Sequence, residues 1–254
     1  AAHVNSGAAL TVACTEVPKT DATRFGVMGI DSHWRIHRFQ EKPAAPDTLP
    51  DNPELALASM GIYIFNTDAL IRELIHDARQ ESQHDFGKNI LPRMVAHGEK
   101  VHAYPFRDRN SGVTKYWRDI GTLDSYYDAN MDLVSVSPVF NLYDEEWPIR
   151  TYQPQLPPAK TVFREDERRG EILDSLVSNG CIISGGRVTH SILGPRVLVH
   201  SWAQVEDCVV FDEVDIGRHA KVRRAIIDKG VKIPDGEEIG YDLGWTAHGE
   251  HVVK

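Results

Sequence analysis

Glu41 and Lys42 stand side by side where an alternating run, RIHRFQ, ends, and Pro43 follows them at once. A carboxylate can accept hydrogen bonds from two hydroxyls, and an ammonium can neutralise a phosphate. The pair could therefore bind a phosphorylated polyol. The alternative is a solvated strand end before a turn, because exposed ion pairs are common on protein surfaces and contribute little stability.

A second group of charged residues lies near the end of the chain. Five basic residues fall within seven positions of an otherwise acidic sequence: Arg218, His219, Lys221, Arg223 and Arg224. The planar fork of an arginine pairs with two phosphate oxygens at once, which suits a site for a phosphorylated ligand. A solvated basic face is the alternative, since charges on the outside of a repeat cost little.

The composition excludes several classes of protein. The 254 residues are 41% hydrophobic with a formal net charge of −9, enough to bury a sizeable core and too acidic to favour a nucleic-acid partner. Cys14, Cys181 and Cys208 are too few for a disulfide framework and lack zinc-site spacing. No apolar run approaches the ~20 residues of a membrane span. We expect a soluble, cytoplasmic protein with no membrane partner.

The first half of the chain alternates strand and helix patterns, as an α/β layer does. The strand patterns are 9–17, 35–40, 61–65 and 101–106. Three segments predict helices: one capped at Thr67, one over 85–98 that Pro92 starts or interrupts, and one capped at Thr122. A proline-rich stretch then follows, which we interpret as a linker.

From Asp174 the chain repeats itself every seventeen residues. Apolar residues recur in three columns: Leu176, Leu193, Val210 and Ile227; Ile182, Val199, Ile216 and Ile233; Val188, Val205, Val222 and Ile239. Small residues fill a further column: Gly186, Ala203 and Ala220. This spacing predicts a β-helix whose stacked coils cover one another. The alternative is a β-sandwich with accidental spacing.

Several motifs in a fixed order resemble bacterial ADP-glucose pyrophosphorylases, the glucose-1-phosphate adenylyltransferase family, over essentially the whole chain. They are FGV (25–27), FQEKP (39–43), SMGIYIF (59–65), HDFGKNILP (84–92), YWRDIGTLDSY (116–126), NLYDEEWPI (141–149) and QLPPAK (155–160). The resemblance implies the C-terminal part of a Rossmann-like nucleotidyltransferase domain followed by a left-handed parallel β-helix of hexapeptide repeats. The domains expected are 1–137 for sugar-phosphate binding, a linker over 138–170, and the β-helix over 171–254.

The resemblance also implies roles for single residues. Glu41 would bind glucose hydroxyls, Lys42 would face the phosphate of glucose 1-phosphate, and the backbone at Gly26 would approach the sugar. Ser59, which we place just before a strand, would add a hydroxyl contact, or else only cap that strand. Asp119 would be the catalytic residue that binds Mg²⁺, although by sequence alone it could be a helix cap before Thr122.

The implied reaction joins ATP and glucose 1-phosphate to give ADP-glucose and pyrophosphate, in glycogen biosynthesis. Members of this family are typically homotetramers whose phosphorylated effectors bind basic pockets. This suggests Arg218, His219, Arg223 and Arg224 as allosteric residues. The sequence has no glycine-rich phosphate loop, since its one Gly-Gly pair is Gly185-Gly186. It also starts without a methionine, so we expect a fragment that lacks the N-terminal nucleotide-binding part and is by itself inactive.

Two other functions remain open at this stage. A hexapeptide acyltransferase also uses stacked six-residue turns, but it needs a catalytic histidine, and His190, His200 and His219 fall in different columns. Binding of acetyl-CoA would identify that class. A non-catalytic subunit that binds sugar phosphate and regulates an active homologue is the other alternative, and an activity assay would separate it from an enzyme.

Overall fold

The computed structural model describes residues 1–107, 113–145, 148–165 and 167–241, together with the backbone of 251–253. Two compact units divide the chain, Ala1–Trp117 and Arg118–Lys254. Of the stretch interpreted as a linker, residues 146, 147 and 166 lie outside the described part. Within the described residues, no helix is both long and apolar enough to cross a membrane.

The first unit is a mixed sheet with short helices, as the alternating patterns predict. Its elements are α1 (Ala2–Ser6), β1 (Leu10–Pro18), a 3₁₀ turn (Ala22–Arg24), β2 (Gly26–Ile30), β3 (Ile36–Glu41), β4 (Leu55–Phe65), α2 (Thr67–Asp77), a π-helical turn (Phe86–Ile90), α3 (Leu91–Ala96) and β5 (Val101–Pro105). The strand order is β3-β2-β4-β1-β5. Strands β1 and β5 run parallel, and the other neighbouring strands are antiparallel.

The core of this unit lies between its sheet and the helical segment 86–96. Leu10, Val12, Met28, Leu91 and Met94 are essentially without solvent contact there. The predicted helix over 85–98 is in fact two elements, the π-helical turn and α3, and Pro92 lies in the first turn of α3. Proline is tolerated there because the first N–H groups of a helix have no acceptor within the helix.

Strand β4 is longer and less regular than the sequence predicts. It begins at Leu55, so Ser59 lies inside the strand and not before it. The pairing with β1 shifts between Val12, opposite Tyr63, and Cys14, opposite Ser59. Gly61 takes a left-handed φ of 71° within this bulge, and its N–H donates to Ser59 Oγ at 3.2 Å. The bulge therefore sets the direction of the Ser59 and Tyr63 side chains.

The N-cap of helix α2 is Asn66, one residue before the predicted cap, Thr67. Its buried residues are Ala69, Glu73 and Asp77, whereas the apolar residues Ile71, Leu74 and Ile75 are exposed in this chain. Glu73 is buried because Arg93 of α3 donates to its Oε2 at 2.7 Å. The apolar stripe of this helix therefore does not identify the face that it buries.

The second unit begins with one helix and continues as a coil of short strands. These are α4 (Leu123–Asp132), β6 (Lys160–Val162), β7 (Arg164–Glu165), β8 (Arg168–Arg169), β9 (Glu171–Leu173), β10 (Leu176–Val177), β11 (Ile182–Ser184), β12 (Arg187–Thr189), β13 (Ile192–Leu193), β14 (Leu198–Val199), β15 (Gln204–Glu206), β16 (Val209–Val210), β17 (Asp215–Ile216), β18 (Lys221–Arg223), β19 (Ala225–Ile227), β20 (Lys232–Ile233), β21 (Glu238–Ile239) and β22 (His251–Val253). Three five-stranded parallel sheets form the walls of this β-helix.

The repeat predicted from the sequence is confirmed by the strand register, with one correction. Arg187, Gln204, Lys221 and Glu238 pair in succession at the predicted seventeen-residue spacing. In the first coil, however, Ile183 pairs with Val199 and Val177 with Leu193, so Ile182 and Leu176 are one residue out of their columns. Ile182 is 41% exposed and Ile183 is 0% exposed. The corner at Gly185-Gly186 makes this coil one residue shorter than the next.

The column of small residues lies where the backbones of successive coils approach each other closely. A Cβ on Gly186 would lie 2.7 Å from the His200 carbonyl oxygen and 2.8 Å from Val199 Cγ1. Ala203 and Ala220, which follow in the same column, are fully buried. No larger side chain fits where the backbone of one coil approaches that of the next.

The β-helix extends further toward the N-terminus than 171. Strand β6 pairs with β11, so Lys160 already belongs to the first coil. Between β6 and β9 the chain forms the small β7-β8 hairpin, and Arg168 Nε of this hairpin donates to Ser201 Oγ at 3.0 Å. Helix α4 also belongs to this unit, because the Tyr127 hydroxyl donates to the Asp207 carbonyl at 2.8 Å.

Candidate sugar-phosphate site

Glu41 is the last residue of β3 and Lys42 follows it, as the sequence predicts, but the two side chains do not form an ion pair with each other. Within the described residues, neither side chain has a hydrogen-bond or ion-pair partner. Glu41 is half-buried, and Lys42 is exposed with a left-handed φ of 47°. Its N–H donates to the Phe25 carbonyl at 3.0 Å, which fixes the turn. A half-buried carboxylate followed in the chain by an unpaired ammonium supplies groups that can bind hydroxyls and a phosphate.

Tyr63, which the sequence did not single out, lies in the same part of the unit as Glu41, because its ring stacks on Phe86 and the next residue, Gly87, lies against Glu41. Burial raises the pKa of the Tyr63 hydroxyl, the neighbouring Ser59 hydroxyl offsets part of that rise, and the carboxylates of Glu41 and Asp85 raise the pKa further. The hydroxyl therefore stays protonated at neutral pH. The Ser59 and Tyr63 hydroxyls and the Glu41 carboxylate are therefore electrostatically coupled.

The π-helical turn at Phe86–Ile90 forms a second wall of the site. Asp85 caps it, with Oδ1 accepting from the Lys88 N–H at 2.8 Å. The Phe86 ring stacks on Tyr63 with ring centroids 5.5 Å apart. Lys88 Nζ donates to Gln83 at 2.7 Å, so this lysine supports its own turn. The turn is thereby joined to β4 by an aromatic contact.

The segment before this turn is anchored to α2. Asp77 accepts from the Ser82 hydroxyl and pairs with His84 Nδ1, each at 2.7 Å. The bond from His84, followed by that from Ser82, lowers the pKa of the Asp77 carboxyl. His84, with a φ of 52°, therefore orders the chain that enters the turn.

Gly26 lies opposite Glu41 in the β2–β3 pairing. A Cβ on Gly26 would be 2.6 Å from Phe39 Cζ and 3.0 Å from Glu41 Oε2. A side chain at this position would therefore disturb Glu41 itself, apart from any contact with a ligand. Trp117, at the end of this unit, packs its ring edge-on against Phe25 at 5.7 Å.

Asp119 belongs to the second compact unit. It is not the cap of α4: Thr122 caps that helix, in a capping box with Ser125. Asp119 Oδ1 instead accepts from the Gly121 N–H at 3.1 Å, and Oδ2 has no hydrogen-bond partner among the residues that the structure describes. The neighbouring Arg118 pairs with Asp128 at 3.3 Å.

The donor set around Asp119 fits a magnesium ion held mainly by a substrate. The described part of the chain contains no group of three acidic, histidine or cysteine side chains that could enclose a metal. Mg²⁺ is commonly bound by only one or two carboxylates together with phosphate oxygens and water. One carboxylate with a free oxygen is compatible with such a role.

The basic cluster does not form one continuous patch. Arg218 and His219 lie at one corner of the coil, and Arg223 and Arg224 lie at the other end of β18. The His219 ring stacks on Trp202 at 4.7 Å, and Arg223 pairs with Glu206 at 3.7 Å. Arg224 has no acidic partner within the described residues.

The three histidines considered for acyl transfer all have structural contacts. His190 pairs with Asp207 at 2.7 Å and His200 with Asp215 at 2.9 Å, while His219 is the ring stacked on Trp202. Each contact joins one coil to the next. The structure therefore offers a packing reason for every one of them.

Comparison with known proteins identifies the class. The family model for nucleotidyl transferases matches residues 1–136, more than half of the chain, and a GlmU-like, C-terminal hexapeptide model matches residues 157–253. The chain belongs to the nucleotidyl transferase family, with a parallel β-helix following the nucleotidyl transferase region.

Several similar proteins within this class are named glucose-1-phosphate adenylyltransferase. The chain is 54% identical to the glucose-1-phosphate adenylyltransferase of Rhodopirellula baltica, over 95% of the chain and 55% of that protein. It is also 54% identical to that of Teredinibacter turnerae, over 99% of the chain and 60% of the relative. The enzyme of Methylococcus capsulatus is 53% identical over 95% of the chain and 57% of its own length. The chain thus spans little more than half of these relatives.

Proposed function

We propose that this chain supplies the glucose 1-phosphate site, and the oligomerisation and regulatory part, of a glucose-1-phosphate adenylyltransferase. The reaction is ATP with glucose 1-phosphate to give ADP-glucose and pyrophosphate. The observation that carries the proposal is the grouping of Glu41 and Tyr63 around the Phe86–Gly87 turn, with the unpaired Lys42 next to Glu41 in the chain. The similarity to named adenylyltransferases supports it.

In this proposal the protein positions its substrate and does little covalent work. Glu41 accepts hydrogen bonds from glucose hydroxyls, with Ser59 and Tyr63 as further polar groups, and Lys42 neutralises the sugar phosphate. The phosphate oxygen of the sugar then attacks the α-phosphate of ATP. Orientation of the sugar phosphate is the main contribution of these side chains.

Asp119 is the residue that would hold Mg²⁺. The ion, when bound, would stabilise the negative charge that develops on the non-bridging phosphate oxygens. Asp119 suits this role because Gly121 orients one carboxylate oxygen while the other remains available within the described part of the chain.

Regulation and assembly complete the proposal. Arg218, His219, Arg223 and Arg224 are the proposed residues for phosphorylated effectors, and a homotetramer in the cytoplasm is the proposed assembly. Arg224 is the strongest of the four, because the described residues leave its guanidinium without an acidic partner. To bind an effector phosphate, Arg223 would have to break its ion pair with Glu206 or contact both groups at once.

Calorimetric titration of the chain with glucose 1-phosphate tests the sugar site directly. We expect binding of glucose 1-phosphate, much weaker binding of glucose or inorganic phosphate alone, and affinity for glucose 1-phosphate lowered about tenfold or more, but still measurable, in Glu41→Ala and Lys42→Ala. Lys19→Ala, at an exposed lysine elsewhere in the same unit, is the matched control and should bind normally. Unchanged binding in both site variants would refute the assignment. Binding without activity in a form that also binds ATP would instead favour a regulatory subunit, and binding of acetyl-CoA a hexapeptide acyltransferase.

A further inference from the structure

Gly87 lies against the proposed sugar-binding carboxylate, although it comes from a separate element. A Cβ built on Gly87 would be 2.6 Å from Glu41 Oε2 and 3.3 Å from Glu41 Cδ. A Cβ on Gly26, on the other side, would be 3.0 Å from the same oxygen. One carboxylate oxygen therefore occupies a space that exists only because two residues lack side chains.

The turn that carries Gly87 cannot easily move away. The Asp85 carbonyl accepts from the N–H groups of both Asn89 and Ile90, and the second of these bonds closes the wider π-helical turn. Ile90 is buried in the core, and Phe86 stacks on Tyr63. Gly87 itself is buried. The turn is thus held at its start, its end and its aromatic contact.

We propose that Gly87 is a positioning residue for Glu41 and, through it, determines which hexose 1-phosphate the site accepts. The inference rests on the proposed function of the site. With Oε2 confined between two glycines, the carboxylate keeps one orientation, and its hydrogen bonds reach hydroxyls in fixed directions. A sugar epimer that places one hydroxyl differently loses such a bond.

Gly87→Ala separates this role from folding. The new Cβ would meet the far end of a flexible side chain, so the carboxylate can swing aside at little cost to stability. Gly87 also has no left-handed φ, so alanine is not strained at this position. Gly29→Ala in β2 is the matched control, because its Cβ would meet the His37 side chain at 2.9 Å and lies away from Glu41.

The test is a double-mutant cycle read by calorimetry with glucose 1-phosphate and galactose 1-phosphate. We expect Gly87→Ala to weaken glucose 1-phosphate binding about tenfold or more, which corresponds to the loss of one hydrogen bond to a charged group. The ratio of the affinity for glucose 1-phosphate to that for galactose 1-phosphate should also fall. Gly29→Ala should leave both affinities within about twofold. In a Glu41→Ala background, Gly87→Ala should have almost no further effect, because its target is absent.

The outcomes are distinct. An unchanged affinity in Gly87→Ala, with Glu41→Ala impaired, would overturn this inference and leave the sugar site standing. An equal loss with and without the Glu41 side chain would show a general structural role and would also overturn it. If Glu41→Ala itself bound glucose 1-phosphate normally, both the site and this inference would fall.

Discussion

At the scale of single residues, the structure shows Glu41 and Lys42 as two separate side chains with no ionic contact between them. The alternative explanation for their proximity in the sequence, a solvated strand end before a turn, does not require such a contact either. The left-handed φ of 47° at Lys42 is costly for a residue with a side chain, by roughly 1 kcal/mol or more. Such backbone conformations concentrate at binding sites, which is consistent with the proposed role.

The first prediction concerns Lys42. Lys42→Ala should weaken glucose 1-phosphate binding by about tenfold to a hundredfold, because a charged hydrogen bond to phosphate contributes about 1.5–3 kcal/mol. In a catalytically active form of the protein, KM should rise far more than kcat changes, since the phosphate is contacted equally in ground and transition states. Steady-state kinetics check this. A fall in kcat at constant KM would contradict it.

The second prediction concerns Asp119. Asp119→Asn should lower kcat by about a hundredfold or more, because the loss of a carboxylate ligand is felt where charge develops in the transition state. The urea midpoint should barely move, since an asparagine oxygen can still accept from the Gly121 N–H. Kinetics at saturating Mg²⁺ and urea unfolding provide the two readouts. Full activity of the variant would show that Asp119 only orders its turn.

At the scale of elements, two irregular segments of the first unit contribute to the proposed site, together with the end of β3. The β4 bulge places Ser59 and Tyr63, and the π-helical turn places Gly87 and Phe86. Bulges and π-turns change the direction of side chains without ending the element that contains them. The regular strands and α-helices of this unit mainly supply its core.

The third prediction tests the small-residue column of the β-helix. Ala203→Val should destabilise the protein by about 1–3 kcal/mol, because two methyl groups would be added where coils approach each other and the alanine is fully buried. Gln204→Val, at an exposed position of the next residue, should stay within about 0.5 kcal/mol. Urea unfolding of both variants measures the difference. Equal midpoints would show that the column is not close-packed.

At the scale of the whole molecule, the chain consists of two compact units with separate cores. The helix capped by Thr122 lies in the second unit, since Tyr127 packs with Val209 and Ile226 of the coil. The division falls between Trp117 and Arg118, earlier than a boundary drawn after the last helix at 137. The YWRDIG motif is therefore divided between the two units.

The fourth prediction concerns the proposed regulation. Arg224→Ala should weaken the response to a sugar bisphosphate activator more than Arg223→Ala, because Arg223 already pairs with Glu206 and Arg224 has no acidic partner in the described part of the chain. Activity without effector should stay within a few-fold, as expected when a ligand shifts an equilibrium between two states. Arg187→Ala, at an arginine paired with Glu171, is the control.

Initial rates titrated with activator give the half-saturation and maximal response for each variant. An unchanged response in both Arg223→Ala and Arg224→Ala would place the effector site elsewhere. The stacking of His219 on Trp202 would then be read as coil packing alone.

The sequence by itself determined the features that depend on neighbours along the chain. The seventeen-residue spacing specified the coil, the Thr122 cap specified the start of α4, and apolar or alternating runs located four strands. These follow from local periodicity and capping, so a linear pattern carries them. The sequence did not predict that the first coil is one residue shorter at Gly185-Gly186, because a glycine does not specify how many residues a corner contains.

Only the tertiary structure decided which distant residues meet. Gly87 lies against Glu41 from a separate element, and Tyr63 comes near Glu41 from another strand. Helix α2 buries the face that carries Glu73, which pairs with Arg93, and not the face that carries its apolar stripe. Such contacts depend on how elements pack in space, and packing is set by shape and charge pairing across the fold. The residue pattern along a single strand or helix therefore does not predict these contacts.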